Sequence, residues 1–126
     1  MDPGDATANN ALGGMLLASG RVDEAIAHLK KALNGRPDYF DAHYNLGNAL
    51  AAKGDFIGAL SQFRAAVRLN PQDAGAEANL GSALAEIGNL KEARAHFERA
   101  LQLDPNNEIA RENLEQLNRD RHGRPN

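Results

Sequence analysis

The sequence contains no cysteine and no tryptophan, and aromatic residues make up only 5% of it. Without cysteine the chain has no disulfide, no thiolate metal ligand and no thiol nucleophile. None of its three serines, Ser19, Ser61 and Ser82, lies in a nucleophile elbow. The Gly13-Gly14 pair falls within a predicted helix and does not follow a strand, so it does not resemble a phosphate-binding loop. We therefore expect no catalytic residues, no metal site and no cofactor.

The chain also lacks an excess of positive charge and a long apolar run. Its net charge is −3, which gives no electrostatic footprint for nucleic acid. No apolar segment approaches the roughly 20 residues that a membrane helix needs, and the N-terminus has neither the basic start nor the apolar stretch of a signal peptide. We expect one domain that binds neither nucleic acid nor membrane. We also expect a cytoplasmic location, with a module cut from a longer protein as the alternative.

The most informative feature is a repeat with a fixed period of 34 residues. When the segment 40–73 is shifted by 34 residues in either direction without a gap, eight of its residues align with identical or similar residues. In the middle copy these are Leu46, Gly47, Leu50, Gly54, Ala59, Phe63, Ala66 and Pro71. Self-similarity at one period is the signature of stacked repeat proteins.

These positions resemble the tetratricopeptide repeat, a helix–turn–helix unit of 34 residues. The resemblance covers three copies, 6–39, 40–73 and 74–107, and a capping helix over 108–120. It implies an all-α fold, a right-handed α-solenoid of three repeats plus the capping helix, with seven helices in a single domain over 6–121. Residues 1–5 are expected to be a disordered lead, and 122–126 a disordered tail. The sequence departs from the family at the fourth position, where a large aromatic residue is replaced by Asn9, His43 and Glu77.

Local signals set the expected ends of the helices. Gly20, Gly54 and Gly88 should end the first helix of each pair, because glycine readily adopts a left-handed conformation. Asp55 should cap the helix that follows it. Gly35 stands where the other copies have Leu69 and Leu103, so we expect its helix to end earlier than its equivalents.

Glycine also recurs inside the first helices, at Gly13, Gly47 and Gly81. Each costs about 1 kcal/mol of helix propensity against alanine. We therefore expect a neighbouring helix to approach too closely for a side chain at these places. His28 and His96 share one repeat position two copies apart, about 20 Å by interhelix distances. They cannot share a metal ion, and we interpret them as exposed side chains of second helices.

The resemblance implies that the first helix of each pair lines a concave groove that binds an extended peptide. The residues carried over as peptide-binding are Asn10, Tyr44, Asn45, Asn48, Asn79, Ser82, Asn113 and Gln116. Tyr44 is the only aromatic residue among them.

Asn45, Asn79 and Asn113 form a row at 34-residue spacing. The row is similar to the one in the tetratricopeptide superhelix of O-linked N-acetylglucosamine transferase, where it holds peptide backbones. An asparagine amide offers a donor and an acceptor to one peptide unit. The alternative is that these side chains solvate a polar face or bond to neighbouring helices.

A second binding mode of the family is the carboxylate clamp of chaperone-tail adaptors. The positions that hold its lysines, arginine and asparagines carry Asn10, Gly14, Asn45, Gly75 and Asn79 in this sequence. Only Asn45 matches, and every cation is missing. A terminal carboxylate would find no charged partner there.

The sequence thus predicts a non-enzymatic interaction scaffold that binds a protein or peptide partner. One alternative is a self-assembling scaffold in which Met15, Leu17 and Tyr44 contact a second molecule. Another is a targeting module of a larger enzyme such as a glycosyltransferase.

Overall fold

The computed structural model describes residues 5–123, with the side chains of residues 5–120, and all regular structure in this range is helical. The seven helices are α1 (Ala6–Ala18), α2 (Val22–Gly35), α3 (Phe40–Ala52), α4 (Phe56–Leu69), α5 (Ala74–Glu86), α6 (Leu90–Leu103) and α7 (Glu108–Gly123). They form three helix pairs that follow the predicted repeats, and α7 follows the third pair. The chain divides after Asn70 into two compact units, one with α1–α4 and one with α5–α7.

Each unit has its own aliphatic and aromatic core. In the first unit, Leu16 on α1 and Leu29 on α2 are buried in one cluster with Leu46 on α3. In the second unit, Leu80 on α5 and Phe97 on α6 are buried, and the Phe97 ring lies against Gly81 of α5. Buried apolar residues of the second helices therefore pack on the first helices, and their burial is the main favourable contribution to folding.

The mid-helix glycines lie at close helix contacts, as predicted. A Cβ atom added to Gly13 would lie 2.6 Å from Cγ of Leu29, and one added to Gly81 would lie 2.8 Å from Cε1 of Phe97. A Cβ on Gly47 would likewise overlap the Phe63 ring. Hydrogen is thus the only side chain that these helix pairs accommodate without a shift of a buried neighbour.

The turns within the helix pairs also agree with the sequence prediction. Gly20, Gly54 and Gly88 have φ values of 80°, 87° and 88°, which suit glycine. Asp55 accepts a hydrogen bond from the Gly58 amide and so caps α4.

Three predicted boundaries were wrong. Helix α2 does not end early: it runs to Gly35 and has the same 14 residues as α4 and α6. The terminal bond from the Arg36 amide to the Ala32 carbonyl involves only backbone atoms, so it forms without a side chain at Gly35. Asp5 is an ordered N-cap that accepts from the Ala8 amide, and residues 1–4 of the predicted lead lie outside the described residues. Helix α7 continues to Gly123, and only residues 124–126 of the predicted tail lie outside the described residues.

Candidate functional site

Two asparagines meet on the surface that α1 and α3 form together, which we call the α1–α3 face. Nδ2 of Asn45 donates to Oδ1 of Asn10 at 3.0 Å, and Nδ2 of Asn10 lies 3.5 Å from the Tyr39 hydroxyl, which accepts its hydrogen. All three side chains are half-buried. Gly14 leaves space beside them, because a Cβ there would touch nothing nearer than Nδ2 of Asn45 at 3.8 Å. The face therefore presents amide groups held in fixed orientations beside an open backbone segment.

Tyr39 belongs to this face although the sequence prediction did not include it. It precedes α3 at the repeat position where Asp5, Asp73 and Asn107 precede their helices. Those three side chains accept a backbone N–H of the helix that follows, whereas Tyr39 makes no such bond. The missing cap was the signal in the sequence that could have identified Tyr39.

Arg36 lies against Tyr39 in the turn between α2 and α3. Its guanidinium carbon is 4.4 Å from the centroid of the tyrosine ring, a cation–π arrangement. Nε of Arg36 also lies 3.9 Å from Oδ1 of Asp38, and both of these side chains are more than half exposed. A planar cation thus borders the α1–α3 face.

Tyr44, the predicted aromatic residue of the groove, is half-buried in an aromatic cluster. Its ring centroid is 5.8 Å from that of Phe40 and 6.4 Å from that of Phe63, the latter edge-on. Tyr44 therefore supports the helix pair α3–α4 while part of it remains accessible. Asn48, one turn further along α3, is half-buried.

The predicted site residues of the second unit lie on α5 and α7. Asn79 is only 9% exposed, and Ser82 is half-buried. Nδ2 of Asn113 donates to the Ile109 carbonyl of its own helix at 2.7 Å. Gln116 is exposed, donates to Asp120 and accepts from Arg119. The asparagines of the row thus differ in environment: Asn45 bonds to a neighbouring helix, Asn113 bonds to its own helix, and Asn79 is buried.

The polar residues at the fourth repeat position bond across each helix pair. Asn9 contacts Nδ1 of His28 at 3.0 Å, and Nδ1 of His43 lies 2.8 Å from the Gln62 amide. In the third pair, Nδ1 of His96 lies 2.7 Å from Oε2 of Glu77, which is only 5% exposed. Each bond joins residues 19 positions apart.

These bonds correct the prediction that the histidines are exposed. His28 and His96 are half-buried and hydrogen-bonded within their own repeats. Nδ2 of Asn9 donates to the Asp5 carbonyl, and the Asn9 oxygen faces Nδ1 of His28. Among the described residues no group of three histidine, aspartate or glutamate side chains could hold a metal ion. The histidines therefore join helices.

No described helix is both long enough and apolar enough to cross a membrane.

Comparisons with known proteins agree with the repeat pattern. The family described as "Tetratricopeptide repeat" matches residues 44–108, just over half of the chain, and a second family, described as "TPR repeat", matches residues 13–54. The chain therefore belongs to the tetratricopeptide repeat family. No match was found among curated proteins.

Solved structures of tetratricopeptide domains are similar to the chain over nearly its full length. The first such domain of Spaghetti (RPAP3), bound to the HSP90 peptide SRMEEVD, is 28% identical over 94% of both chains, with a TM-score of 0.88. The first domain of human RPAP3 is also 28% identical, covers 96% of this chain and 95% of its own, and has a TM-score of 0.88. The Sgt2 domain from Aspergillus fumigatus is 21% identical over 96% of this chain and 85% of its own, with a TM-score of 0.86, and shows the fold alone. The fold class is thus an all-α solenoid of helical repeats, as predicted.

Proposed function

We propose that the chain is a non-enzymatic protein-interaction module that binds an extended peptide segment of a partner protein through the first helices of its repeats. Membership of the tetratricopeptide repeat family supports this proposal. So does its similarity to a domain whose structure contains a bound peptide. Because a fold alone does not determine a ligand, the proposal depends mainly on the α1–α3 face.

The observation that carries the proposal is the hydrogen bond from Asn45 to Asn10. It uses one of the two amide hydrogens of Asn45 and fixes the orientation of the group. The second amide hydrogen and the carbonyl oxygen are of the types that pair with the C=O and N–H of a peptide unit. An amide that is already oriented loses less conformational entropy when a peptide binds.

Hydrogen bonds of this kind give modest affinity. Each contributes about 0.5–1.5 kcal/mol, so one bond from each of Asn10 and Asn45 supplies about 1–3 kcal/mol, which alone corresponds to binding weaker than millimolar. Contacts to peptide side chains must supply the remainder. We infer that the partner is held weakly, or by several contacts at once in a larger assembly.

The ligand should not be held by the carboxylate clamp carried over from the family. The clamp positions carried over from the family hold Asn10, Gly14, Asn45, Gly75 and Asn79 in this chain, and none is a cation. We therefore expect the peptide SRMEEVD to bind much more weakly to this chain than to the RPAP3 domain.

The proposal is tested with an array of immobilised peptides. Asn45→Ala with Asn79→Ala should bind fewer peptides, and bind them more weakly, than the wild type. The matched control is Asn34→Ala with Asn106→Ala, which removes two exposed asparagines outside the predicted row. Equal binding by the wild type and the first variant, with circular dichroism showing both to be folded, would eliminate the asparagine row as the binding element.

A second candidate function is self-association through α1. Leu12 and Met15 are 40% and 67% exposed, whereas their repeat equivalents Leu46 and Ala49 are buried in the core of the first unit. In α3 the equivalent residues are buried partly by α2. A second copy of the chain could bury Leu12 and Met15 of α1 in the same way. Sedimentation equilibrium of the wild type and of Met15→Asp tests self-association. A wild type that stays monomeric up to about 1 mM would exclude it, since weaker association is of little use.

A further inference from the structure

We propose that Arg36 and Tyr39 form a recognition site for a carboxylate of the bound peptide at the edge of the α1–α3 face. This inference rests on the proposed function and extends it, because it names the chemical group that the face selects. The cation is not at any of the clamp positions carried over from the family. It lies in the turn between the first and second repeats, at a residue that the other repeats replace with Asn70 and Asp104.

The first argument comes from the capping pattern. Positions 5, 73 and 107 hold Asp or Asn, and each caps the helix that follows it. Tyr39 occupies the remaining place in this series and leaves α3 without a side-chain cap. Functional sites are where a residue is expected to differ from the structural role that its repeat equivalents have.

The second argument is the geometry of the stacked pair. The Arg36 guanidinium lies over one face of the Tyr39 ring, so the ring restricts the orientation of the cation. The hydroxyl of the same ring accepts from Asn10, which in turn accepts from Asn45. The cation is thus linked through one tyrosine to the two amides proposed to hold the peptide backbone.

The third argument is that the charge of Arg36 is only weakly compensated. Asp38 approaches its Nε atom at 3.9 Å, and the two side chains are 79% and 55% exposed. A pair with this exposure and separation contributes little. The guanidinium has four further N–H groups, and a carboxylate can take two of them in the bidentate geometry that arginine favours.

The carboxylate can come from an Asp or Glu side chain or from the C-terminus of the peptide. A library of random heptapeptides displayed on phage, panned on the wild type, on Arg36→Gln and on Lys30→Gln, is the first test. Lys30 is an exposed cation of α2 and serves as the matched control. We expect the wild type and the control to select peptides enriched in Asp and Glu at one position, and Arg36→Gln to select peptides without this enrichment.

The second test uses synthetic peptides and fluorescence anisotropy. The most enriched acidic heptapeptide is compared with a version in which the acidic residue is Gln or Asn, and with a version amidated at its C-terminus. On the wild type one of these changes should weaken binding about tenfold, equivalent to about 1.4 kcal/mol, and on Arg36→Gln less than twofold. The sensitive peptide identifies the source of the carboxylate. Asp38→Asn should strengthen binding of the acidic peptide, because it removes the competing carboxylate.

The outcomes separate the two proposals. Acidic enrichment that persists with Arg36→Gln would overturn the role of Arg36 and leave the peptide-binding function intact. So would wild-type binding that depends neither on an acidic side chain of the peptide nor on its free C-terminal carboxylate. Recovery of no peptide by the folded wild type would overturn both.

Discussion

Nδ1 of His96 lies 2.7 Å from Oε2 of Glu77, a carboxylate whose side chain is almost fully buried between α5 and α6. Nε2 of the same ring faces Glu92 at 3.6 Å. The third repeat therefore joins its two helices through an acidic residue, where the first and second repeats use the amide side chains of Asn9 and Gln62.

Removal of the histidine should destabilise the second unit strongly. His96→Ala removes the hydrogen-bond partner of the buried Glu77 side chain, and we expect the free energy of unfolding to fall by about 1–3 kcal/mol. Urea denaturation followed by circular dichroism measures the change. Glu77→Leu combined with His96→Leu should recover at least half of the loss, because both polar partners are then absent.

The adjacent glycines of α1 should respond to alanine in opposite directions. Gly13→Ala forces a methyl group against the buried Leu29 side chain, so overpacking of about 1–3 kcal/mol outweighs the gain in helix propensity. Gly14→Ala meets only Nδ2 of Asn45, at an ordinary contact distance, and should stabilise α1 by up to about 1 kcal/mol. Thermal melting of the two variants tests this, and a gain in stability for both would contradict the close contact between α1 and α2.

The cap of α5 should contribute measurably to stability. Asp73 accepts from the Ala76 amide at 2.9 Å, and Asp73→Ala should reduce the free energy of unfolding by about 1 kcal/mol. Asp38→Ala removes an exposed aspartate that caps no helix and should change the stability by less than about 0.5 kcal/mol. Equal losses for the two variants in urea denaturation would show that Asp73 acts through its charge alone.

The pKa of Lys53 is raised above the ordinary lysine value, first by its hydrogen bond to Asp23 at 2.7 Å and then by the charge of the same carboxylate. The folded protein holds this proton more tightly than the unfolded chain does. The stabilising contribution is therefore complete below the ordinary lysine pKa and is lost as the pH rises through the raised value. An NMR titration of the Lys53 side chain should give a lower midpoint in Asp23→Asn than in the wild type, and equal midpoints would refute the link.

The repeat period made most of the helices predictable. A 34-residue pattern fixes which residues face the core and where a left-handed glycine is needed, so the turns at Gly20, Gly54 and Gly88 were predicted correctly. The end of α2 was not, because the closing hydrogen bond depends on the backbone and not on the side chain at Gly35.

The candidate site was less predictable, because it depends on contacts between elements that no local pattern describes. The row of Asn45, Asn79 and Asn113 was visible in the sequence, but their different hydrogen-bond partners and burial were not. Asn9 bonds to His28 and Glu77 bonds to His96, so the sequence has polar residues 19 positions apart in each of these repeats. This spacing alone does not show that the residues bond, because the bond forms only when the two helices pack together. The contact between Tyr39 and Asn10 spans 29 residues and follows from the packing of α1 beside α3.

The polar bonds across the helix pairs begin and end within single repeats. Insertion or loss of one full 34-residue segment would leave each of these donors with its acceptor. Insertion or loss of half a segment would separate a buried group such as Glu77 from its partner. The arrangement therefore favours evolution of the protein's length in whole repeats.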